Sequence, residues 1–252
     1  MADQTGASAN PQRSLVLPRL LAASGIVILI SLGSWQMNRL AWKEAILARI
    51  AERVQAPPTA LPEPSQWADL SPEDYEYRRV TLAGTFDHSR EVLIFRATGK
   101  LTKRPDGPGY HVITPLLLAS GQSVLVNRGF IPLEAKDPAS RAQGQISGLQ
   151  TITGLMRSTE ERNLFTPADD PAKGLWYTRD PKAIGAALKL DKLAPFVIDA
   201  EAMAVPGGLP EGGATQINIQ NNHLSYALTW FGLAATLALF FIWFALRQKR
   251  KD

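Results

Sequence analysis

His223 is the residue with the clearest chemical potential, because it stands at the start of a long uncharged run, 224–246. An ionisable group at the end of a membrane-spanning helix is costly enough to suggest a function. A neutral imidazole is a good axial ligand for haem iron, and Tyr226 and Trp230 follow on the same helical face. The alternative is an interfacial helix start, in which Asn222 caps the helix, His223 faces headgroup water and the two aromatic residues join the interfacial belt. The spacing allows both interpretations.

The other candidate residues have simpler structural explanations. The chain has no cysteine and three histidines, so thiol catalysis, Cys-ligated metals, c-type haem attachment and a His-rich metal cage are excluded. Nucleophile-elbow, P-loop, zinc-protease and dinucleotide-binding motifs do not occur in the sequence. His88 lies in a solvated turn, and His111 fits a half-buried position on a strand. Arg128, at a strand end, can bind a carboxylate or phosphate, or pair with an acid of its own domain. We expect no enzyme activity.

Two uncharged runs indicate membrane spans. Residues 20–38 and 224–246 contain no charge, and as helices they would be about 28 Å and about 34 Å long, each enough to cross a hydrocarbon core. The net charge of +4 lies at the chain ends beside these runs, which indicates membrane lipid as a partner and argues against nucleic acid. No small-x-small cleavage site follows the first run, so we expect an uncleaved signal anchor.

Charge asymmetry predicts the orientation of the chain. No Lys or Arg occurs in residues 203–222, before the second span, whereas four follow it: Arg247, Lys249, Arg250 and Lys251. The positive-inside rule therefore places the C-terminus in the cytoplasm, and two spans then place the N-terminus there as well. The first span taken alone would indicate the opposite orientation, because Arg39, Lys43, Arg49 and Arg53 follow it and only Arg13 and Arg19 precede it. The short leader does not resemble a mitochondrial transit peptide, so we expect a bacterial inner membrane with the central domain in the periplasm.

The predicted organisation has eight parts. They are a cytoplasmic leader (1–18), a first transmembrane helix (19–38), its helical extension (39–56), a Pro-rich linker (57–77), a periplasmic β-rich domain (78–204), a loop (205–222), a second transmembrane helix (223–246) and a basic cytoplasmic tail (247–252).

Alternating apolar and polar residues predict six strands in the central domain, over 80–86, 91–96, 110–118, 123–131, 149–157 and 195–200. One helix is predicted over 181–190, with Asp180 as its N-cap and Pro181 at its first position. The fold class is therefore an α+β membrane protein, in which two transmembrane helices flank a mainly antiparallel β domain built as a partly closed sheet or barrel.

Several short motifs recur in a fixed order between the two spans. They are LGSWQ (32–36) with Arg39 and Trp42, GYHVITPL (109–116), VNRGFIP (126–132), FTP (165–167), WY (176–177) and NHL (222–224) with Tyr226, Thr229, Trp230, Phe231 and Leu233. Together these motifs resemble the Surfeit-locus-one family, membrane proteins that assist the assembly of cytochrome c oxidase. The resemblance extends over nearly the whole chain.

The resemblance implies a chaperone that binds haem a transiently and helps its insertion into subunit I of cytochrome c oxidase. His223 matches the family position linked to haem in bacterial members, and it would supply one axial bond to the iron. Tyr226 and Trp230 would flank the macrocycle, and Arg39 could meet a propionate. Haem a synthase is a further implied partner. The alternative function is a non-haem scaffold that stabilises an oxidase assembly intermediate through protein contacts.

The residues Trp35, Arg39 and Trp42 share one face of the first helix. This face could pack against the second span, which would bring Arg39 towards His223. It could equally be an interfacial anchor of aromatic and basic side chains.

Overall fold

The computed structural model describes residues 16–101, 104–213 and 221–249, which form two compact units. One unit is a helical pair from residues before 50 and after 217, and the other is a β domain over residues 50–217. Most of the predicted leader, half of the basic tail and residues 214–220 of the predicted loop lie outside the described residues.

Two long helices make up the helical unit. Helix α1 spans Val16–Gln55 and helix α4 spans His223–Lys249. Both are long and apolar enough to cross a membrane. Helix α1 continues through the predicted extension and ends just before a pair of prolines at 57 and 58, which cannot supply the backbone N–H groups that further turns need.

Small residues line the contact between these two helices. Ala227 and Ala234, seven residues apart on α4, are buried, as is Gly33 on α1. A Cβ atom at Gly33 would lie only 2.6 Å from a ring carbon of Phe231. Without side-chain bulk at position 33 the two backbones approach closely, which is how helices associate in a lipid environment that gives no hydrophobic driving force.

Seven strands form the sheet of the β domain. Their bounds are β1 Thr59–Ala60, β2 Arg79–Phe86, β3 Val92–Leu101, β4 Arg104–Leu118, β5 Ser123–Pro132, β6 Leu149–Arg157 and β7 Leu193–Ala200. Two short helices, α2 (Pro72–Tyr75) and α3 (Pro181–Leu188), complete the regular elements together with several 3-10 turns. All six predicted strands and the predicted helix are confirmed, with ends that shift by up to six residues.

Five of the strands close into a ring. The order is β1-β2-β6-β7-β5-β4-β3, and β2 also pairs with β4 through three residue pairs at residues 84–86 and 116–118. The ring is therefore β2-β6-β7-β5-β4, with β3 and β1 added at its sides. The β5–β7 and β1–β2 pairs are parallel and the other pairs are antiparallel. The predicted α+β class is confirmed, and the sheet is a closed barrel.

Alternation of side chains produces two apolar layers. The ring interior is filled by residues from every strand of the barrel: Val80, Leu82, Phe86, Leu116, Val124, Val126, Ile152, Met156, Phe196 and Ile198. A second cluster with Trp176 and Ile184 covers the other face of the sheet beneath α3. Helix α3 begins as predicted, because the Asp180 carboxylate accepts hydrogen bonds from the backbone N–H groups of Lys182 and Ala183.

The segment predicted as a Pro-rich linker (57–77) packs against the barrel core. It contains β1, a 3-10 turn over Pro64–Asp69 and helix α2. Trp67 and Tyr75 are buried, and each ring centroid lies 5.6 Å from that of Phe196 in the barrel core. Prolines at the first helical positions fit these short turns, because the N–H they lack would have no partner there.

Candidate functional site

The His223 side chain contacts Gln36 on the other helix of the pair. His223 is the first residue of α4, and its Nδ1 lies 2.7 Å from the Oε1 atom of Gln36 on α1. Both side chains are half-buried. A carbonyl oxygen can only accept a hydrogen bond, so Nδ1 carries the proton and donates it. The other ring nitrogen, Nε2, keeps its lone pair in this tautomer and is the atom able to bind a metal.

The two aromatic residues predicted beside His223 lie along the same helix. Tyr226 is 55% exposed, and Trp230, one turn further, is half-buried. Their spacing from His223 of three and seven residues places them on its side of the helix. An exposed aromatic ring on a membrane helix suits contact with a flat apolar molecule, and it also suits the lipid interface.

Arg39 follows Gln36 by one helical turn but has a different partner. Its guanidinium lies 3.9 Å from the centroid of the Trp42 ring, in cation–π geometry. Arg39 is exposed, and Trp35 and Trp42 are 57% and 50% exposed. The contact face of α1 carries Gly33 and Gln36 instead, so the packing of the Trp35–Arg39–Trp42 face against the second span does not occur.

The donor set at His223 fits a haem better than a bare metal ion. Among the described residues there is no group of three or more His, Cys, Asp or Glu side chains that could hold a metal ion. A haem needs only one or two axial ligands from protein, because the macrocycle supplies the others. A single imidazole with a defined tautomer meets that requirement.

The β domain contains a buried cluster of charged residues on strands β6 and β7 and in the segment before α3. The Asp199 carboxylate accepts hydrogen bonds from Arg157 at 2.8 Å and Asn127 at 2.9 Å, and Arg179 lies 3.7 Å away. Burial alone would raise the pKa of Asp199, but the nearby charges of Arg179 and Arg157 hold it below its ordinary value. This carboxylate is therefore ionised, and the cluster joins the strands electrostatically.

His111 lies at the edge of this cluster. Its Nδ1 is 3.5 Å from the Asn127 amide nitrogen. Burial and then the positive charge of Arg96 lower the pKa of His111 to about 4, against the opposing effect of Asp199. His111 is thus neutral at physiological pH, in agreement with the half-buried strand position predicted for it.

Arg128 is buried and contacts neutral groups. It donates hydrogen bonds to the Gly144 carbonyl and, at 3.4 Å, to Nδ1 of His88, and its guanidinium lies 4.8 Å from the centroid of Phe86. His88 Nε2 in turn lies 2.9 Å from the Ile146 carbonyl, to which it donates. Burial lowers the pKa of Arg128 to about 10, so it stays protonated at neutral pH. These contacts support a structural role for Arg128. The prediction of a solvated turn at His88 is wrong, because both of its ring nitrogens have hydrogen-bond partners within the β domain.

Comparison with known proteins decides the family. The SURF1 family model matches residues 23–235. Surfeit locus protein 1 of Rattus norvegicus is 37% identical over 226 residues, which cover 84% of this chain and 70% of the relative. The chain belongs to the SURF1 family. Surfeit locus protein 1 of Homo sapiens is 36% identical over 231 residues, which cover 86% of this chain and 73% of the relative. A SURF1-like protein of Monosiga brevicollis is 37% identical over 232 residues, which cover 88% of this chain and 85% of the relative.

Membership of the SURF1 family confirms the resemblance and gives the coarse function, that of a cytochrome c oxidase assembly factor. The matched residues include most of α1 and the first half of α4, and therefore both His223 and Gln36. The two apolar helices agree with membrane association of this SURF1 family member.

Two interactions in this SURF1 family member could not be predicted from the sequence, one within the helical pair and one within the β domain. Gln36 was part of a motif, but nothing local connects it to His223, which is 187 residues away. The available signal was a polar amide near the end of an otherwise apolar span. Asp199 and Arg157 carry no motif at all, and only the position of each on a buried strand end hinted at an ion pair.

Proposed function

We propose that this SURF1 family member binds haem a through Nε2 of His223 and helps its insertion into subunit I of cytochrome c oxidase. The observation that carries the proposal is the Nδ1 hydrogen bond to Gln36, which leaves Nε2 as the free donor atom. Family membership supports the assembly role. The imidazole with an available Nε2 supports a haem as the cargo. No residue is assigned a catalytic role.

A single axial bond suits transfer of a cargo. Haem supplies the redox chemistry only after it reaches the oxidase, so this chain needs to hold and then release it. One imidazole holds the iron less firmly than two axial ligands do, which allows a receiving subunit with its own ligands to compete. Tyr226 and Trp230 would contact the apolar faces of the cargo. Arg39, exposed one helical turn after Gln36, would bind a propionate once it leaves the Trp42 ring.

The proposed location is a bacterial inner membrane, with both termini in the cytoplasm and the β domain in the periplasm. The uncharged helices and the basic residues after α4 support this orientation. Subunit I and haem a synthase are the proposed protein partners, since one receives and the other supplies haem a. Membrane lipid surrounds the helical pair.

The test is the haem content of the full chain, purified in detergent after co-expression with the enzymes that make haem a. Pyridine haemochrome spectra of the wild type and of His223→Ala identify and quantify the bound haem. We expect haem a on the wild type and at least a tenfold loss in His223→Ala. Leu228→Ala, at an exposed position on the same helix, is the matched control and should retain haem as the wild type does. Tyr226→Ala should lower retention without abolishing it.

A folded wild-type protein that carries no haem would contradict the proposal. The non-haem scaffold would then be the better function, and oxidase yield would be unchanged by His223→Ala. Time-dependent conversion of a substrate by the full chain would instead indicate an enzyme.

A further inference from the structure

The hydrogen bond between Gln36 and His223 joins the two helices of the membrane unit. Gln36 lies within the uncharged run 20–38, and its amide is half-buried where most neighbours are apolar. A side-chain amide at such a position is unfavourable unless it is hydrogen-bonded. The 2.7 Å contact to His223 Nδ1 provides that partner for the amide oxygen.

The contact has a chemical consequence for the imidazole. A neutral histidine carries one proton, on Nδ1 or on Nε2, and the hydrogen bond at one nitrogen decides which. Because Gln36 Oε1 accepts the hydrogen bond from His223 Nδ1, the proton stays on Nδ1 and the lone pair of Nε2 remains available. This hydrogen bond also restricts rotation of the ring, since a flip would place a lone pair or a carbon against the amide oxygen.

We infer that Gln36 is a positioning residue, which holds His223 in the tautomer and orientation that a metal at Nε2 requires. This inference rests on the proposed function, that His223 binds the iron of haem a. Outer hydrogen-bond partners of metal-binding histidines raise the basicity of the imidazole, and their loss weakens metal affinity by about 10-fold to 100-fold.

A purely structural role for the same hydrogen bond makes a different prediction. If Gln36 only holds the two helices together, any substitution that keeps the helices paired should leave the iron unaffected. If Gln36 acts through the imidazole, the reduction potential of the iron must change with the strength of the acceptor at Nδ1.

The experiment uses the full chain in detergent and haem a extracted from purified cytochrome c oxidase as the probe. Haem affinity is measured by titration, and the midpoint potential by spectroelectrochemistry. The variants are Gln36→Leu, which removes the acceptor at similar size, and Gln36→Glu, which keeps an acceptor. Asn38→Leu is the matched control, because Asn38 is an exposed amide two residues away on the same helix. His223→Ala is measured in parallel.

We expect Gln36→Leu to weaken haem affinity by about 10-fold to 100-fold and to raise the midpoint potential, because a less basic imidazole stabilises ferric iron less. Gln36→Glu should bind within a few-fold of the wild type and lower the potential. Asn38→Leu should match the wild type in both measurements.

Two outcomes overturn the inference and leave the proposed function in place. In the first, His223→Ala loses haem while Gln36→Leu keeps the affinity and potential of Asn38→Leu. In the second, Gln36→Leu and Gln36→Glu lose haem equally and the helices no longer pair. Retention of haem by His223→Ala at wild-type affinity would overturn the proposed function itself, and the inference with it.

Discussion

At the scale of single residues, His111 makes the β domain sensitive to acid. Its pKa is lowered to about 4 by burial and the charge of Arg96, against 6.5 for an unfolded chain. Between these pH values the unfolded chain binds more protons than the folded one, so stability rises with pH across this window. We expect His111 to contribute a loss of about 3 kcal/mol of unfolding free energy as pH falls from 6.5 to 4.

The matched variant is His111→Gln, which removes the titrating group from the strand. Denaturant unfolding of the full chain in detergent, followed by the fluorescence of the buried tryptophans, measures both proteins over this pH range. The wild type should show a steeper fall in stability than the variant. Parallel plots of unfolding free energy against pH between pH 4 and 6.5 would show that the pKa of His111 is the same in the folded and the unfolded chain.

The substitution Asp199→Asn tests how much the buried charge cluster stabilises the β domain. In Asp199→Asn the hydrogen bonds can be partly replaced, but Arg157 and Arg179 lose the negative charge beside them. Loss of one partner from a buried ion pair costs about 3 to 5 kcal/mol, because the remaining charge is uncompensated. Unfolding free energy of the full chain is the measurement.

Asp170→Asn is the control for Asp199→Asn. Asp170 pairs with Lys173, whose side chain is 74% exposed, at 2.7 Å. Exposed pairs of this kind contribute about 0 to 1 kcal/mol. Equal effects of the two substitutions would mean that the cluster around Asp199 is solvated in the folded protein.

At the scale of elements, the pairing of α1 with α4 depends on the missing side chain at Gly33. In Gly33→Ile, the new side chain would overlap the Phe231 ring, which already lies 2.6 Å from a Cβ position. We expect the two helices to separate or rotate, with loss of the Gln36–His223 hydrogen bond and a fall in haem retention.

A disulfide measures this pairing directly, because the chain has no cysteine of its own. Gly25→Cys and Leu237→Cys place thiols at positions in contact, since a Cβ at Gly25 would lie 3.2 Å from Leu237 Cδ2. Oxidation should cross-link this pair in the Gly33 background and much less in Gly33→Ile. Ser34→Ile, on an exposed neighbouring position, should leave cross-linking intact.

The elements with a regular pattern were predictable from sequence, and those held by distant partners were not. Strand β2 has buried residues at every second position, so its alternation was visible in the sequence. Strand β4 begins at Arg104, six residues before the predicted start, because its glycine-containing beginning is typical of a loop. Trp67 is buried against Phe196, which is far away in sequence.

The candidate site follows the same division. The common side of α4 that carries His223, Tyr226 and Trp230 was predictable, because helical spacing relates the three residues, and their role in binding haem stays a prediction. Gln36 was not predictable, because its hydrogen bond connects the end of one span to the start of the other. Similarly, the closure of the barrel through β2 and β4 depends on three residue pairs that no local pattern specifies.

At the scale of the whole molecule, the proposed orientation is testable with single cysteines. Leu164 is 99% exposed in the β domain, so Leu164→Cys offers an accessible thiol. A membrane-impermeant maleimide added to intact spheroplasts should label Leu164→Cys. Asp252→Cys, at the predicted cytoplasmic terminus, should be labelled only after the cells are permeabilised. The reverse pattern would place the β domain in the cytoplasm.

The position of β7 in the ring has a consequence for how the chain is made. This last strand lies between β5 and β6, and it pairs with both. Synthesis proceeds from the N-terminus, so until residues 193–200 emerge, the earlier strands can form only an open sheet with β5 and β6 as unpaired edges. Such edges recruit strands from other chains. A truncated or slowly synthesised chain is therefore most prone to aggregate just before its final strand arrives, and the ring is completed only shortly before α4 is synthesised.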